Sequence, residues 1–294
     1  MSNLLDERFA ACREAGRAAL VVYLPVGFPD VETSRAAMVA AVEAGADVIE
    51  IGIPYTDPVM DGPVIQDAAD RALEQGAGVD DALECARAVV DAGGVPVVMS
   101  YWNPLLARGV ERLAGELAGA GVAGVILPDL PPEAAGAWHA AAAEHGLATT
   151  HLVAPSTTPE RAATITAACS GFVYAASTMG VTGARATVSH AAEQVVERIR
   201  AVSDLPIGLG LGVSSGEQAR EVARYADGVI VGSAVVAALG AYSGLDGNAA
   251  READPAAPDT ASVGASAPSG QSGSVPTFPR MTALVRELAG ALDH

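Results

Sequence analysis

Glu50, Asp57 and Asp61 crowd three carboxylates into the short segment IEIGIPYTDPVMDGPVIQ, residues 49–66. Glu50 sits between Ile49 and Ile51, in a run that reads as a strand. A carboxylate held among aliphatic neighbours loses hydration, which favours its neutral form and lifts its pKa toward the range useful for proton transfer. The loop that follows is stiffened by Pro54, Pro58 and Pro63. Asp57, directly before Pro58, reads at least as well as a turn residue. Asp61 lies farther along, beside Gly62, where a tight turn is expected. It is the better second acid group. Two carboxylates whose surroundings demand opposite protonation are the usual signature of acid–base work.

A second constellation is made of glycines. GVTGAR (180–185), GLGLGVSS (208–215) and GVIVGSA (228–234) each follow a strand-like run, and the last two open helices. Backbone N–H groups at a helix N-terminus carry partial positive charge and accept phosphate. That matters in a chain with a formal net charge of −18, whose surface repels anions at long range. All 17 basic residues are arginine. Without lysine, no side chain can form a Schiff base, and a Walker-type phosphate loop is excluded. A phosphate here must be gripped mainly by backbone.

The elements that would position these groups alternate regularly. Strand-like runs occupy 20–26, 47–52, 95–100, 122–127, 148–153, 171–176, 206–210 and 227–231, eight in all. Alanine-rich helical stretches separate them at 33–44, 80–92, 107–120, 133–145, 159–168, 190–202 and 215–225, with Thr33, Asp80, Thr158 and Ser214 or Ser215 as candidate caps. Alternation of this kind implies a parallel sheet, and eight units imply a closed (β/α)8 TIM barrel. Phosphate loops after the last strands, on a short helix N-terminus, suit that fold. An extra amphipathic helix at 3–17 is expected to cover the barrel floor. Residues 241–278, rich in Ala, Ser, Pro, Gly and Asp, read as a disordered insertion before the last helix. The expected organisation is a barrel over 1–240, a linker over 241–278 and the final barrel helix over 279–294.

Composition narrows the remaining classes. The acidic balance makes nucleic acid and anionic membranes poor partners. Cys12, Cys85 and Cys169 form no pair motif and are expected as reduced thiols. His139, His145, His151, His190 and His294 show no metal-ligand spacing, so no metal is expected. The first twenty residues lack a signal-peptide pattern, and no apolar run approaches a membrane span; the expectation is a cytoplasmic chain.

Taken in order and spacing, IEIGIPYTDPVMDGPVIQ, MGVTGAR, GLGVSS and VGSAVV closely resemble the alpha subunit of tryptophan synthase. The likeness runs from about residue 5 to 240 and resumes in the final helix. It implies a lyase that splits indole-3-glycerol phosphate into indole and glyceraldehyde 3-phosphate. It implies Glu50 as general acid/base, Asp61 on the indole N–H and Tyr174 beside the substrate. The phosphate-binding positions land on Gly183, Gly212, Gly232 and Ser233. It implies an alpha2beta2 tetramer in which the beta subunit, carrying pyridoxal phosphate, receives the indole, with no cofactor in this chain. The chain departs from the family pattern at Tyr23, often Phe; at Leu211, where Phe often packs on the substrate; at PVGF (25–28); and at Thr178-Met179. Tyr23 and Leu211 bear on the fit around the indole.

An indole carbanion is too unstable to leave, so C3 must be protonated before the carbon–carbon bond breaks. Glu50 in its neutral form suits that step, and ionised Asp61 suits the charge that builds on the ring. Two other readings fit parts of the pattern. A sugar-phosphate isomerase or epimerase would share the phosphate loops but not the Glu50–Asp61 pairing. A non-catalytic barrel that activates a partner would not need either carboxylate.

Overall fold

The computed structural model describes residues 3–176, 190–210, 212–241 and 276–293. Among them, nine strands run parallel in one sheet: β1 (Ala19–Pro25), β2 (Val48–Gly52), β3 (Val95–Met99), β4 (Gly124–Ile126), β5 (Ala148–Thr150), β6 (Leu152–Val153), β7 (Val173–Ala176), β8 (Ile207–Gly210) and β9 (Gly228–Val231). The order across the sheet is β5-β4-β3-β2-β1-β9-β8-β7-β6. Its two ends, β5 and β6, are parted only by His151, so the sheet returns on itself as a TIM barrel. The eight expected strands are therefore present, with the fifth divided. β5 pairs with β4 and β6 pairs with β7. The chain thus changes partner at His151, and side chains stitch this seam. The Thr150 hydroxyl donates to the Phe172 carbonyl at 3.1 Å, and the Thr149 N–H donates to the Ser170 hydroxyl at 2.9 Å.

The described helices are α1 (Leu4–Glu14), α2 (Val31–Glu43), α3 (Pro63–Glu74), α4 (Val79–Asp91), α5 (Trp102–Arg108), α6 (Val110–Gly119), α7 (Gly136–His145), α8 (Pro159–Ala167), α9 (His190–Arg200), α10 (Gly216–Val222), α11 (Ser233–Gly240) and α12 (Pro279–Leu292). None is long and apolar enough to cross a membrane. Thr158 and Ser215 cap α8 and α10, as their types predict. Thr33 and Asp80 do not cap. Asp30 holds that position for α2 and accepts the Thr33 N–H at 2.8 Å, while Gly78 precedes α4 and donates its N–H to Asp81. In both cases the helix begins earlier than the apolar periodicity suggests. Two helices have no counterpart in the periodic pattern. α3 starts immediately after the loop that bears Asp61, and α5 contains Pro104 in its first turn, where a missing N–H costs nothing.

α1 closes the barrel floor. Its Leu5, Phe9 and Cys12 are buried, and Phe9 lies 5.5 Å from the Phe172 ring. Asn3 ties the helix down by donating to the carbonyls of Ala123 and Gly146, both at 2.7 Å. At the same end, Asp47 is gripped by Arg17 at 2.6 and 2.8 Å and accepts the Leu20 N–H at 2.9 Å. Asp227, at the foot of β9, repeats the arrangement with Arg200 and the Ile207 N–H. α12 packs against α10, α11 and α2, and Glu287 accepts the Gly216 N–H at 2.8 Å. The chain therefore returns to the barrel after residues that lie outside the described set, which include 242–275 of the expected linker.

Neighbouring residues in a parallel register face the same way. Tyr23 stands opposite Glu50, Gly52 opposite Met99, Met99 opposite Ile126, Leu152 opposite Tyr174 and Gly210 opposite Ile230. These pairs face the barrel interior at the C-terminal ends of the strands, the end at which barrels of this type carry their chemistry.

Candidate active site

A cavity of about 810 Å³, counted out to its open mouth, fills that end of the barrel. Glu50, Asp61, Tyr23, Tyr174, Gly212, Gly232 and Ser233 all line it. Seven expected site residues from six segments thus meet in one place. The other two, Gly183 and Leu211, lie outside the described residues. Asp57 does not reach the cavity. It is exposed, accepts the Thr56 hydroxyl at 2.7 Å and has its carbonyl bonded by the Val59 N–H, which is turn chemistry.

Glu50 is 3% exposed, and its Oε2 has no hydrogen-bond partner among the described residues. Burial pushes its pKa up to about 8, and the nearby Asp61 charge adds to the effect. Asp61 is 7% exposed, so the loop already folds over the site. Burial raises its pKa to about 6, and a hydrogen bond from Tyr101 works in the opposite direction. Near neutral pH the pair therefore holds one proton on Glu50 and one charge on Asp61. The expected tight turn beside Asp61 is closed by the Asp61 N–H donating to the Pro58 carbonyl at 3.0 Å, and Gly62 lies just outside it. Its backbone is extended at φ −79°, ψ 169°, and it precedes α3 as the N-cap, with Pro63 in the first turn.

Two tyrosines lie across the mouth, each over a glycine of the next strand. A Cβ on Gly52 would stand 2.3 Å from the Tyr23 hydroxyl, and one on Gly210 would stand 2.4 Å from that of Tyr174. Only glycine leaves room for either phenol. Burial, with the Asp61 and Glu50 charges behind it, holds both phenols well above their ordinary pKa, so both stay protonated.

Next to these tyrosines are Gly212, at φ +71° and two residues beyond Gly210, and the start of α11, where Gly232, packed against Tyr23, is the N-cap and Ser233 the first helical residue. The first N–H groups of a helix have no partner within it and are available to an anion. No arginine lines the cavity among the described residues. The remaining wall is apolar: Met60, Ile65, Met99, Ile126, Pro128, Leu152 and Ile230. Sequence reading passed over these residues, although strict alternation within each strand places Met99, Ile126, Leu152 and Ile230 on the inward side. The cavity thus brings together two buried carboxylates, an apolar wall and a helix N-terminus.

Comparison with known proteins identifies the family and the fold. The family model described as tryptophan synthase alpha chain matches residues 9–259. The tryptophan synthase alpha chain of Mycobacterium marinum is 59% identical over 239 residues, covering 81% of this chain and 89% of that one. Among solved structures, Mycobacterium tuberculosis tryptophan synthase superposes with a TM-score of 0.85 at 48% identity, covering 100% of both chains. The tryptophan synthase subunit alpha of Legionella pneumophila superposes with a TM-score of 0.81 at 29% identity, covering 100% of this chain and 99% of that one.

Proposed function

This chain belongs to the tryptophan synthase alpha chain family, and from that premise we propose that Glu50 and Asp61 carry its reaction as a pair. The enzyme is a lyase of tryptophan biosynthesis that cleaves indole-3-glycerol phosphate to indole and glyceraldehyde 3-phosphate. The carrying observation is the buried Oε2 of Glu50, without a hydrogen-bond partner among the described residues, in the same cavity as Asp61. Neutral Glu50 donates a proton to indole C3, which turns the ring into an electron sink. Asp61, ionised, accepts the N1–H and offsets the positive charge on the ring. Glu50, now a carboxylate, takes the proton of the hydroxyl next to the breaking bond. The C–C electrons pass into the ring, restoring indole, and the carbonyl of the aldehyde forms. Glu50 ends as it began, protonated.

Tyr23 and Tyr174 flank the ring in this reading. Gly212, Gly232 and Ser233 hold the phosphate, with Gly183 completing the seat. Leu211 packs on the substrate. The absence of arginine from the described lining supports a backbone seat. Indole is small and apolar, and it is handed to a beta subunit that carries pyridoxal phosphate, in an alpha2beta2 tetramer. This chain needs no cofactor of its own and has no lysine with which to anchor that one. Val59, 69% exposed on the loop before Asp61, and Leu106, 51% exposed on α5, leave apolar surface beside the mouth where such a partner would sit.

The test is indole release from indole-3-glycerol phosphate by the full chain and by Glu50→Gln. The variant is expected to bind substrate and release no indole. Near-normal turnover by that variant would remove Glu50 from the mechanism.

A further inference from the structure

His151 stands where the chain changes partner from β4 to β7, and it is 2% exposed. Successive side chains on a strand point to opposite faces. Leu152 lines the cavity, so His151 is turned outward, toward the helices. There its Nε2 lies 3.0 Å from the Nε2 of His139, near the start of α7. The two rings meet edge to face at 81°, with centroids 5.3 Å apart. The neighbouring residues repeat the attachment: the Trp138 indole N–H donates to the Thr149 hydroxyl at 2.9 Å. Among the described residues, no three His, Cys, Asp or Glu side chains gather so as to hold a metal ion. The two nitrogens are therefore joined by a proton. A neutral imidazole has one N–H and one bare nitrogen, whereas a charged one has two N–H groups. One ring donates and the other accepts, so at least one must be neutral. Two charged rings would set N–H against N–H, and the contact would break.

We propose that the His139–His151 contact is an acid-sensitive latch: it fastens α7 to the strand seam while one ring is neutral, and protonation of both rings frees the seam beside Leu152. Neither Glu50 nor Asp61 takes part, so the latch stands apart from the reaction. The wall it braces is short of other support, since Leu152 belongs to a strand of two residues. Of the charged groups around the pair, Glu133, in the 3-10 turn Pro132–Ala134, and Arg161, on α8, hold each other. Asp129 turns both oxygens to the Trp102 N–H at 3.0 Å, and His145, farther along α7, meets Glu111 of α6 at 3.2 Å. None of these carboxylates is bonded to either ring of the pair. The Cys169 thiol, which accepts the His151 N–H at 3.3 Å, is pushed up to about 11 by burial and stays protonated. Burial holds both imidazoles below their ordinary range; His151 falls to about 4, with the charge of His139 as the second cause.

The test uses the full chain with its histidines labelled with nitrogen-15. At neutral pH one Nε2 of the pair should give a protonated signal and the other a bare one; two protonated or two bare signals overturn the proposal. Below the ordinary histidine range, the opened seam binds a proton that the closed one refuses. Opening therefore gains up to about tenfold for each unit that pH falls, until His151 itself titrates near 4. Amide exchange of residues 149–153, corrected for its intrinsic pH dependence, should speed up about tenfold between about pH 7 and about pH 5, while that of β2 holds. Equal corrected rates overturn the proposal. His139→Gln supplies an amide that can turn to accept from a charged His151. It should keep the slow exchange at neutral pH and cut the acid step to about threefold or less. His139→Ala should exchange about tenfold faster at neutral pH. A step that survives undiminished in the glutamine variant means that burial of His151 alone is responsible, and overturns the latch. An equimolar amount of zinc should leave both Nε2 signals in place; a shift of both identifies a metal site instead.

Discussion

Glu50 and Asp61 share one cavity, and the charge of Asp61 is the second cause, after burial, that keeps a proton on Glu50. Their pKa values, about 8 and about 6, fall on either side of neutrality. The reaction needs Glu50 neutral and Asp61 charged. kcat/KM should therefore rise as Asp61 ionises near pH 6 and fall as Glu50 loses its proton near pH 8. Cleavage measured across that range checks the bell shape. A profile that climbs steadily past pH 9 would show that a neutral Glu50 is not required.

Holding Glu50 neutral destabilises the fold. A carboxyl whose folded pKa is raised contributes fully below its unfolded value, and that contribution is lost as pH rises through the folded value. The window here runs from the ordinary glutamate range to about 8. Glu50→Gln keeps the shape and removes the penalty, so the variant should be more stable than the parent by about 3 kcal/mol at pH 7, an order-of-magnitude figure, and equal to it near pH 4. Urea unfolding at the two pH values measures the difference. Equal stability at both would mean that Glu50 is better solvated than its burial implies.

Asp47 and Arg17 lock the barrel floor, far from the chemistry. Burial pushes Asp47 up, but the Arg17 fork and the Leu20 N–H outweigh it and hold the carboxyl below its ordinary range. Its contribution is thus present above the usual aspartate pKa and is lost as pH falls through the lowered one. Asp47→Asn leaves Arg17 only its longer contact with the exposed Asp293, at 3.7 Å. A loss of about 3 kcal/mol in unfolding free energy is expected, with kcat of the folded protein unchanged. A large drop in kcat without loss of stability would place Asp47 in the catalytic apparatus instead.

Gly210 and Gly290 should respond oppositely to alanine. At Gly210 the new Cβ meets the Tyr174 hydroxyl at 2.4 Å, so the phenol must leave its place. Cleavage should fall at least tenfold and stability by about 1–3 kcal/mol. At Gly290, inside α12, nothing lies within 4 Å. There alanine should stabilise by about 0.5–1 kcal/mol with activity untouched. Thermal unfolding alongside an indole assay separates the two, and a silent Gly210→Ala would contradict the packing described for Tyr174.

Much of this architecture was legible in the chain before any coordinates. β2 and β3 announce themselves because buried parallel strands are continuous β-branched runs. Glu50 stands out because a carboxylate inside such a run has no structural use unless paired. The glycine-rich segments after the last strands stand out because a phosphate in an acidic, lysine-free protein needs backbone donors, whereas the individual positions 212 and 232 come from the family resemblance. Other features gave weaker signals. α3 and α5 are too short or too proline-marked for helical periodicity to register. The split at His151 depends on partners distant in sequence, which no local pattern encodes. Tyr101 gives no such signal, since an aromatic after a strand reads as core until its hydroxyl is seen accepting the Met60 N–H.

The seam at His151 divides the cavity wall into two mechanical halves. β1, β2 and β3 carry unbroken ladders of at least five residues on the Glu50 side, whereas Leu152 belongs to a strand of two. One flank is stiff and keeps the proton donor in aim; the other is compliant and stitched largely by hydroxyl groups. Ligand traffic then has a side that yields and a side that does not, and amide exchange around residues 149–153 should outpace that of β2.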